Sequence, residues 1–296
     1  MNIKFSEKYL EVLKKYLLFL KSKPTKEVLF FKGVDKIYIS HMDASTGLWV
    51  NISTSSDHIT FDKDEVALSN LDEFLKYTNV IKYPKDANSS LSYNQVKNSS
   101  GDLVLDILYL QGKKGKYFLP LGNTSCFTTG YDRKIPTERD KDITLLKAKM
   151  YLDTETISSY IESLKLMETP RVFGLGIFDD QITFYLKGKT SQQYEDKIES
   201  TKSQVFDSYT TRDKTNSNGG CKLFPSELLN CLESFGVPFD IEMRTVTRDN
   251  GVVINTLKAY GTIKEENLPD IDIVIGAMEN ISNSVSGIFD IMLLSI

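Results

Sequence analysis

The sequence predicts an α+β fold of two tandem domains, each carrying two helices on antiparallel sheet. Three observations predict it. A strand–cap–helix unit occurs four times, beginning near Asn2, Glu65, Ile143 and Cys221. Each copy is followed by further strand-like runs, so helices segregate from antiparallel sheet and do not alternate with parallel strands. The chain has 296 residues, 41% hydrophobic and 26% charged, which is a globular composition long enough for two cores.

The unit at Glu65 to Ile81 shows the pattern most cleanly. Val66, Ala67 and Leu68 form a short apolar strand that runs into Ser69-Asn70, either of which can cap a helix. Asp72 and Glu73 follow in the first turn, where the macrodipole favours negative charge. Leu71, Phe74, Leu75 and Thr78 keep helical spacing and give one apolar face.

In chain order, Asn2 to Phe5 reads as a strand and Ser6 as the N-cap of a helix to Lys21, stopped by Pro24. Tyr9, Leu10, Leu13, Tyr16, Leu17 and Leu20 form its stripe. Val28 to Lys32, Lys36 to His41 and Leu48 to Ile52 are rich in β-branched and aromatic residues and read as strands. After the second helix, Ser90 to Asn94, Asp102 to Leu110 and Lys116 to Leu121 read as three more, with a hairpin turn at Gly112 to Gly115. The first domain is therefore expected at 1–122. Residues 123–142 lack periodicity and form the expected linker.

The second domain is expected at 143–280. Ile143 to Leu152 is a strand, and Asp153 can cap a helix to Met167. Val172 to Phe178 and Gln181 to Lys187 form a hairpin about Asp179-Asp180, and Gln204 to Tyr209 is a third strand. Cys221 to Phe224 leads to a helix from Pro225 to Phe235, with proline at N1 and Gly236 past its end. Phe239 to Val246, Gly251 to Tyr260 and Ile271 to Met278 close the domain. The tail at 281–296 is apolar through Ile288, Phe289, Ile291, Met292, Leu293, Leu294 and Ile296. It reads as a terminal element packed on the second domain, or as a peptide that docks in a pocket of its own or a neighbouring subunit.

Composition excludes several function classes. The net charge is −4, so nucleic-acid binding would need local basic faces on an acidic body. Three cysteines (Cys126, Cys221, Cys231) lack metal spacing and read as reduced thiols. With only His41 and His58, a zinc site or a histidine-based triad is not expected. There is no GxxxxGK[ST] loop. Gly174-Leu175-Gly176 lies inside a strand pattern, and Asp179-Asp180, Asp270 and Asp272 read as turn and strand-flank residues. Lysines interrupt the first helix, so it is no signal peptide, and no run reaches the ~18 apolar residues of a membrane span. No enzyme, cofactor or metal is expected.

Two segments carry a family resemblance. Leu68-Ser69-Asn70-Leu71-Asp72-Glu73-Phe74-Leu75 and Tyr117-Phe118-Leu119-Pro120-Leu121 resemble the strand-into-helix segment and the proline-ended closing strand of bacteriophage-type, T4-like DNA polymerase sliding clamps, members of the PCNA-like clamp superfamily. Ile143 to Met167 and Cys221 to Gly236 match by pattern. The resemblance implies two tandem clamp domains and a homotrimer. Its six domains make a pseudo-sixfold ring that encircles double-stranded DNA without reading sequence. It implies partnership with a DNA polymerase and a clamp loader, and a place in the host cytoplasm. The other class that fits the duplication is a phage structural or assembly protein.

The same resemblance makes Lys8, Lys14, Lys15 and Lys21 on the first helix, Lys76 and Lys82 on and after the second, and Lys165 on the third the DNA-facing residues. A solvated helix face is the alternative reading. The third and fourth helices also carry Glu155, Glu162, Glu227 and Glu233, so that half of the lining is neutral to acidic; Arg212, Lys214 and Lys222 could help from loops. A partner-peptide pocket on the second domain would be lined by Phe127, Leu145, Val253, Ile254, Ile273 and Ile275, although the residue types themselves favour ordinary core at these positions.

Overall fold

The computed structural model describes residues 2–20, 26–43, 47–86, 88–97, 99–101, 103–122, 124, 143–169, 171–178, 180–188, 193–206, 221–247 and 251–279. Lys21, Pro24, Cys126, Phe127, Arg212, Lys214, the 281–296 tail and the expected linker, save residue 124, lie outside these residues. The chain divides into two compact units, residues 1–41, 50–133 and 262–273 in one, and 42–49, 134–261 and 274–296 in the other.

The first unit opens with β1 (Ile3–Phe5), α1 (Glu7–Leu20), β2 (Val28–Lys32), β3 (Ile37–Asp43), β4 (Leu48–Thr54), β5 (Ile59–Phe61), β6 (Glu65–Leu68) and α2 (Leu71–Val80). β7 (Ser90–Lys97), β8 (Leu103–Gln111) and β9 (Lys116–Pro120) come next. The strand orders are β4-β3-β2-β6, β7-β8-β9 and β1-β5. Ser6 caps α1 by accepting the Tyr9 amide at 3.0 Å, and Asn70 caps α2 by accepting that of Glu73 at 3.2 Å. Of the two expected cap candidates, Ser69 instead donates its hydroxyl to the Pro120 carbonyl. Tyr9, Leu13 and Tyr16 of α1 and Leu71 and Phe74 of α2 are fully buried, and Phe5 packs its ring 5.2 Å from Phe74 and 5.7 Å from Phe30.

The second unit contains β10 (Ile143–Leu152), α3 (Thr154–Lys165), β11 (Val172–Phe178), β12 (Gln181–Lys187), β13 (Gln193–Lys197), β14 (Ser203–Val205), β15 (Cys221–Phe224), α4 (Glu227–Phe235) and β16 (Phe239–Thr247). β17 (Val253–Glu265) and β18 (Leu268–Met278) complete the strands among the described residues, and, like β3 and β4, each is divided between the units. Strand orders are β14-β10-β16-β17-β18 and β13-β12-β11-β15. Tyr160 of α3 stacks on Phe184 of β12 at 3.8 Å, and Phe235 and Phe239 are fully buried. The architecture is α+β, with helices on antiparallel sheets, as expected.

Two strands, β5 and β13, are not read from the sequence, and some local expectations fail, for identifiable reasons. β13 carries only polar and charged residues besides Tyr194, so it shows no apolar alternation and is held by its pairing with β12. β5 is three residues long and, among the described residues, pairs with β1 alone. The strand expected at Gln204 to Tyr209 is Ser203–Val205 within the described residues. Pro225 is not at N1: α4 begins at Glu227 with Ser226 as its N-cap, although Gly236 does end it at φ 62°. Among the described residues no helix is long and apolar enough to cross a membrane.

Candidate nucleic-acid interface

Each unit packs two helices against each other, α1 with α2 and α3 with α4. The outward stripe of α1 is Glu7, Glu11, Lys14 and Leu18, spaced by three and four residues as helical geometry requires. Lys8 and Lys15 are half-buried beside it. Lys8 lies 3.5 Å from Glu11. Burial, and then the neighbouring charge of Lys8, lower the pKa of the Lys15 ammonium. On α2, Lys76 is exposed but reaches Asp72 at 2.6 Å, one turn back. Lys82 is exposed just past the helix, with a backbone φ of 57°. Lys85, which is not among the residues expected from sequence, is exposed and meets Glu7 at 2.6 Å.

Lys14, Lys82 and Lys85 line a groove of about 340 Å³ between α1 and α2, with Glu7 and Glu11 interleaved, while Lys8, Lys15 and Lys76 are not in its lining. The groove is charge-mixed. An exposed ion pair of this kind is worth under about 1 kcal/mol, so the lysines can exchange carboxylate for phosphate at small cost.

In the second unit, α3 exposes Glu155, Glu162 and Lys165, and α4 exposes Glu227 with Glu233 half-exposed. Along the four helices stand five lysines (8, 14, 15, 76 and 165) and eight carboxylates (7, 11, 72, 73, 155, 162, 227 and 233). Lys222, offered as a helper from a loop, is a β15 residue whose ammonium lies 3.9 Å from Glu279. Of the lysines that line the α1–α2 groove, Lys85 is paired with Glu7, which leaves Lys14 and Lys82 as its available cations.

Of the six residues expected at a peptide pocket, Phe127 lies outside the described residues, and the other five do not share one exposed face. Leu145 and Val253 lie on one face of the β10-β16-β17 sheet and are 49% and 53% exposed. Ile254 lies on the opposite face, because alternation reverses each successive side chain. Ile273 and Ile275 are fully buried and belong to the core, as the alternation of β18 requires. Ile143, not among the six, is 72% exposed on the same face as Leu145.

Two strand edges complete the candidate surfaces. β9 ends the three-stranded sheet and bears Phe118, 59% exposed, with its ring 5.3 Å from that of Tyr109. Lys116 Nζ stands 4.3 Å from the Tyr109 ring centroid. β13 ends the four-stranded sheet and exposes Gln193, Glu195 and Lys197.

No family model and no curated protein matches the chain by sequence. Solved structures match its fold. It is similar to A. fulgidus PCNA, solved with the C-terminal region of FEN-1 bound, at TM-score 0.54 and 12% identity over 95% of this chain and 98% of that one. The PCNA2-PCNA3 complex from Sulfolobus tokodaii gives TM-score 0.52 and 13% identity over 93% and 98%. The H. pylori beta clamp gives TM-score 0.55 and 13% identity over 96% of this chain but 64% of that longer one. The chain therefore shares the sliding-clamp fold across nearly its whole length.

Proposed function

We propose that this chain is the subunit of a DNA sliding clamp. The observation that carries the reading is the extent of the match: 95% of this chain aligns with 98% of a PCNA, so the likeness covers two whole clamp domains and not a shared fragment. On this reading the chain is of the bacteriophage type and acts in the host cytoplasm. Domains at 1–122 and 143–280 are joined by a linker at 123–142. Three copies close a ring, and its function is topological. It tethers a DNA polymerase, is opened by a loader, and performs no chemistry. Lys8, Lys14, Lys15, Lys21, Lys76, Lys82 and Lys165 would face the duplex, Lys14 and Lys82 foremost since no helical carboxylate holds them within the α1–α2 groove. Contacts to phosphates through weakly held lysines carry no base information and permit sliding. Partner peptides would meet the exposed Leu145 and Val253.

A second reading, a phage structural or assembly protein, is favoured by the excess of carboxylates on the helices. One experiment separates them. Light scattering behind size exclusion should give about 100 kDa, three times the 33.6 kDa chain, if the ring closes. The closed ring should then remain on circular DNA and leave it on linearisation. A dimer, or equal retention on both topologies, would overturn the clamp reading.

A further inference from the structure

Ile143, Leu145 and Val253 are large aliphatics left exposed at one end of a face that is otherwise core. The register aligns Ile143 with Thr247 and Val253, and Leu145 with Thr245 and Asn255. Further along the same face, Ala148, Met243 and Leu257 are aligned and buried to 1% exposure or less. The apolar face runs past its cover.

The described chain ends on that face. Thr245 Oγ1 lies 2.9 Å from Asn255 Oδ1, and Asn255 Nδ2 donates to the Glu279 carboxylate at 2.6 Å. The Glu279 amide donates to the Asn255 carbonyl at 2.8 Å. Glu279 therefore anchors the start of the C-terminal tail in the row that contains Leu145.

The composition of the tail suits the face. Residues 280–287 are small or polar apart from Ile281 and Val285, and seven of the nine residues in 288–296 are large and apolar, with Asp290 the single charged side chain. Eight extended residues span up to about 29 Å, so the tether does not limit reach. The competing segment is the one before Ile143, but Glu138, Arg139, Asp140, Lys141 and Asp142 are all charged and bring no apolar side chain to the face.

We propose that residues 288–296 dock on the Ile143–Leu145–Val253 face of their own chain. The inference does not need the clamp reading, since it concerns one chain and its own terminus.

The test uses the full chain with a photo-crosslinking phenylalanine analogue at Leu145, an exposed position, and a second protein with the analogue at Tyr151 on the opposite face. Equal amounts of isotopically heavy and light chains are mixed, irradiated and mapped by mass spectrometry. The expected product joins position 145 to 288–296 in all-light or all-heavy pairs, and is missing from the Tyr151 protein. Mixed-isotope pairs would mean a second copy's tail and would overturn the proposal. A product with 123–142, or none with the tail, would equally overturn it. In a second arm, I291D/L294D in the full chain should abolish the product and raise amide exchange at Leu145 and Val253 about tenfold. Unchanged exchange would count against docking just as firmly.

Discussion

Gly276 lies directly against the indole of Trp49: a Cβ built on the glycine would fall 1.9 Å from Cζ2 and 2.0 Å from Cε2. Trp49 is 3% exposed and is the chain's one tryptophan. A rigid bicyclic ring cannot yield as the end of a flexible side chain can. Gly276→Ala should therefore force the ring or the strand aside and cost roughly 1–3 kcal/mol, the usual penalty of overpacking. Urea unfolding followed by tryptophan emission measures both effects, because the same ring reports the local change. An unaltered midpoint with an unaltered native spectrum would show that the contact is not this tight.

The N-cap of α3 makes stability pH-dependent. Asp153 accepts the Thr156 amide at 2.8 Å and pairs with Lys202 at 2.9 Å. The hydrogen bond from Thr156 first, and then Lys202, lower its pKa from 3.8 to about 2. A folded pKa below the unfolded one means stabilisation that is complete above about pH 4 and is lost as pH falls toward 2. Asp153→Asn retains a capping oxygen but cannot titrate, so its stability should be flatter than wild type across that window. Asp153→Ala should cost about 1 kcal/mol at neutral pH. Thermal melts of the three proteins between pH 2 and 5 check the ordering.

Those two sites show what is readable in the chain and what is not. The Asp153 cap and the α2 cap at Asn70 are local devices, and local spacing reveals them. The Trp49–Gly276 contact joins residues 227 positions apart, and nothing in either neighbourhood announces it. The same holds for His58, whose ring bonds Ser6 Oγ at 2.9 Å and the Pro269 carbonyl at 2.5 Å from a fully buried position. β13 is illegible because pairing with β12 holds a sequence that carries no apolar alternation. The candidate interface is half-legible. Helical periodicity places Lys14 outward, while the neutralisation of Lys8 by Glu11 and of Lys76 by Asp72 depends on which side chains pair at three- and four-residue spacing, which periodicity alone does not decide. Ile273 and Ile275 fail as pocket residues because an apolar β-branched residue reads the same in a core and in a cleft.

If copies of the chain assemble through the β9 edge, Phe118 is the large apolar side chain that this edge exposes. A free strand edge offers unpaired backbone groups to a second strand, and a large exposed ring beside it adds apolar area. Phe118→Glu should move the light-scattering mass toward 33.6 kDa without altering the circular-dichroism spectrum, since the side chain is not core. A mass equal to wild type across a concentration series would remove β9 from the assembly surface.

The lysines make the sharpest test of the DNA reading, because their environments differ. Lys14 and Lys82 stand in the α1–α2 groove, whereas Lys76 is already 2.6 Å from Asp72. Removing a phosphate-binding cation weakens the salt dependence of affinity by close to one unit of log–log slope, and removing one already neutralised by a carboxylate changes it less. The expected order of loss in duplex binding is therefore Lys14→Ala/Lys82→Ala together, then either alone, then Lys76→Ala. Fluorescence anisotropy against salt concentration, on duplexes of two unrelated sequences, should show the same order on both, since a phosphate contact reads no bases. If Lys76→Ala proves as damaging as the double substitution, the duplex approaches α2 and not the groove. If none of them alters binding, the helix faces are not the DNA surface at all.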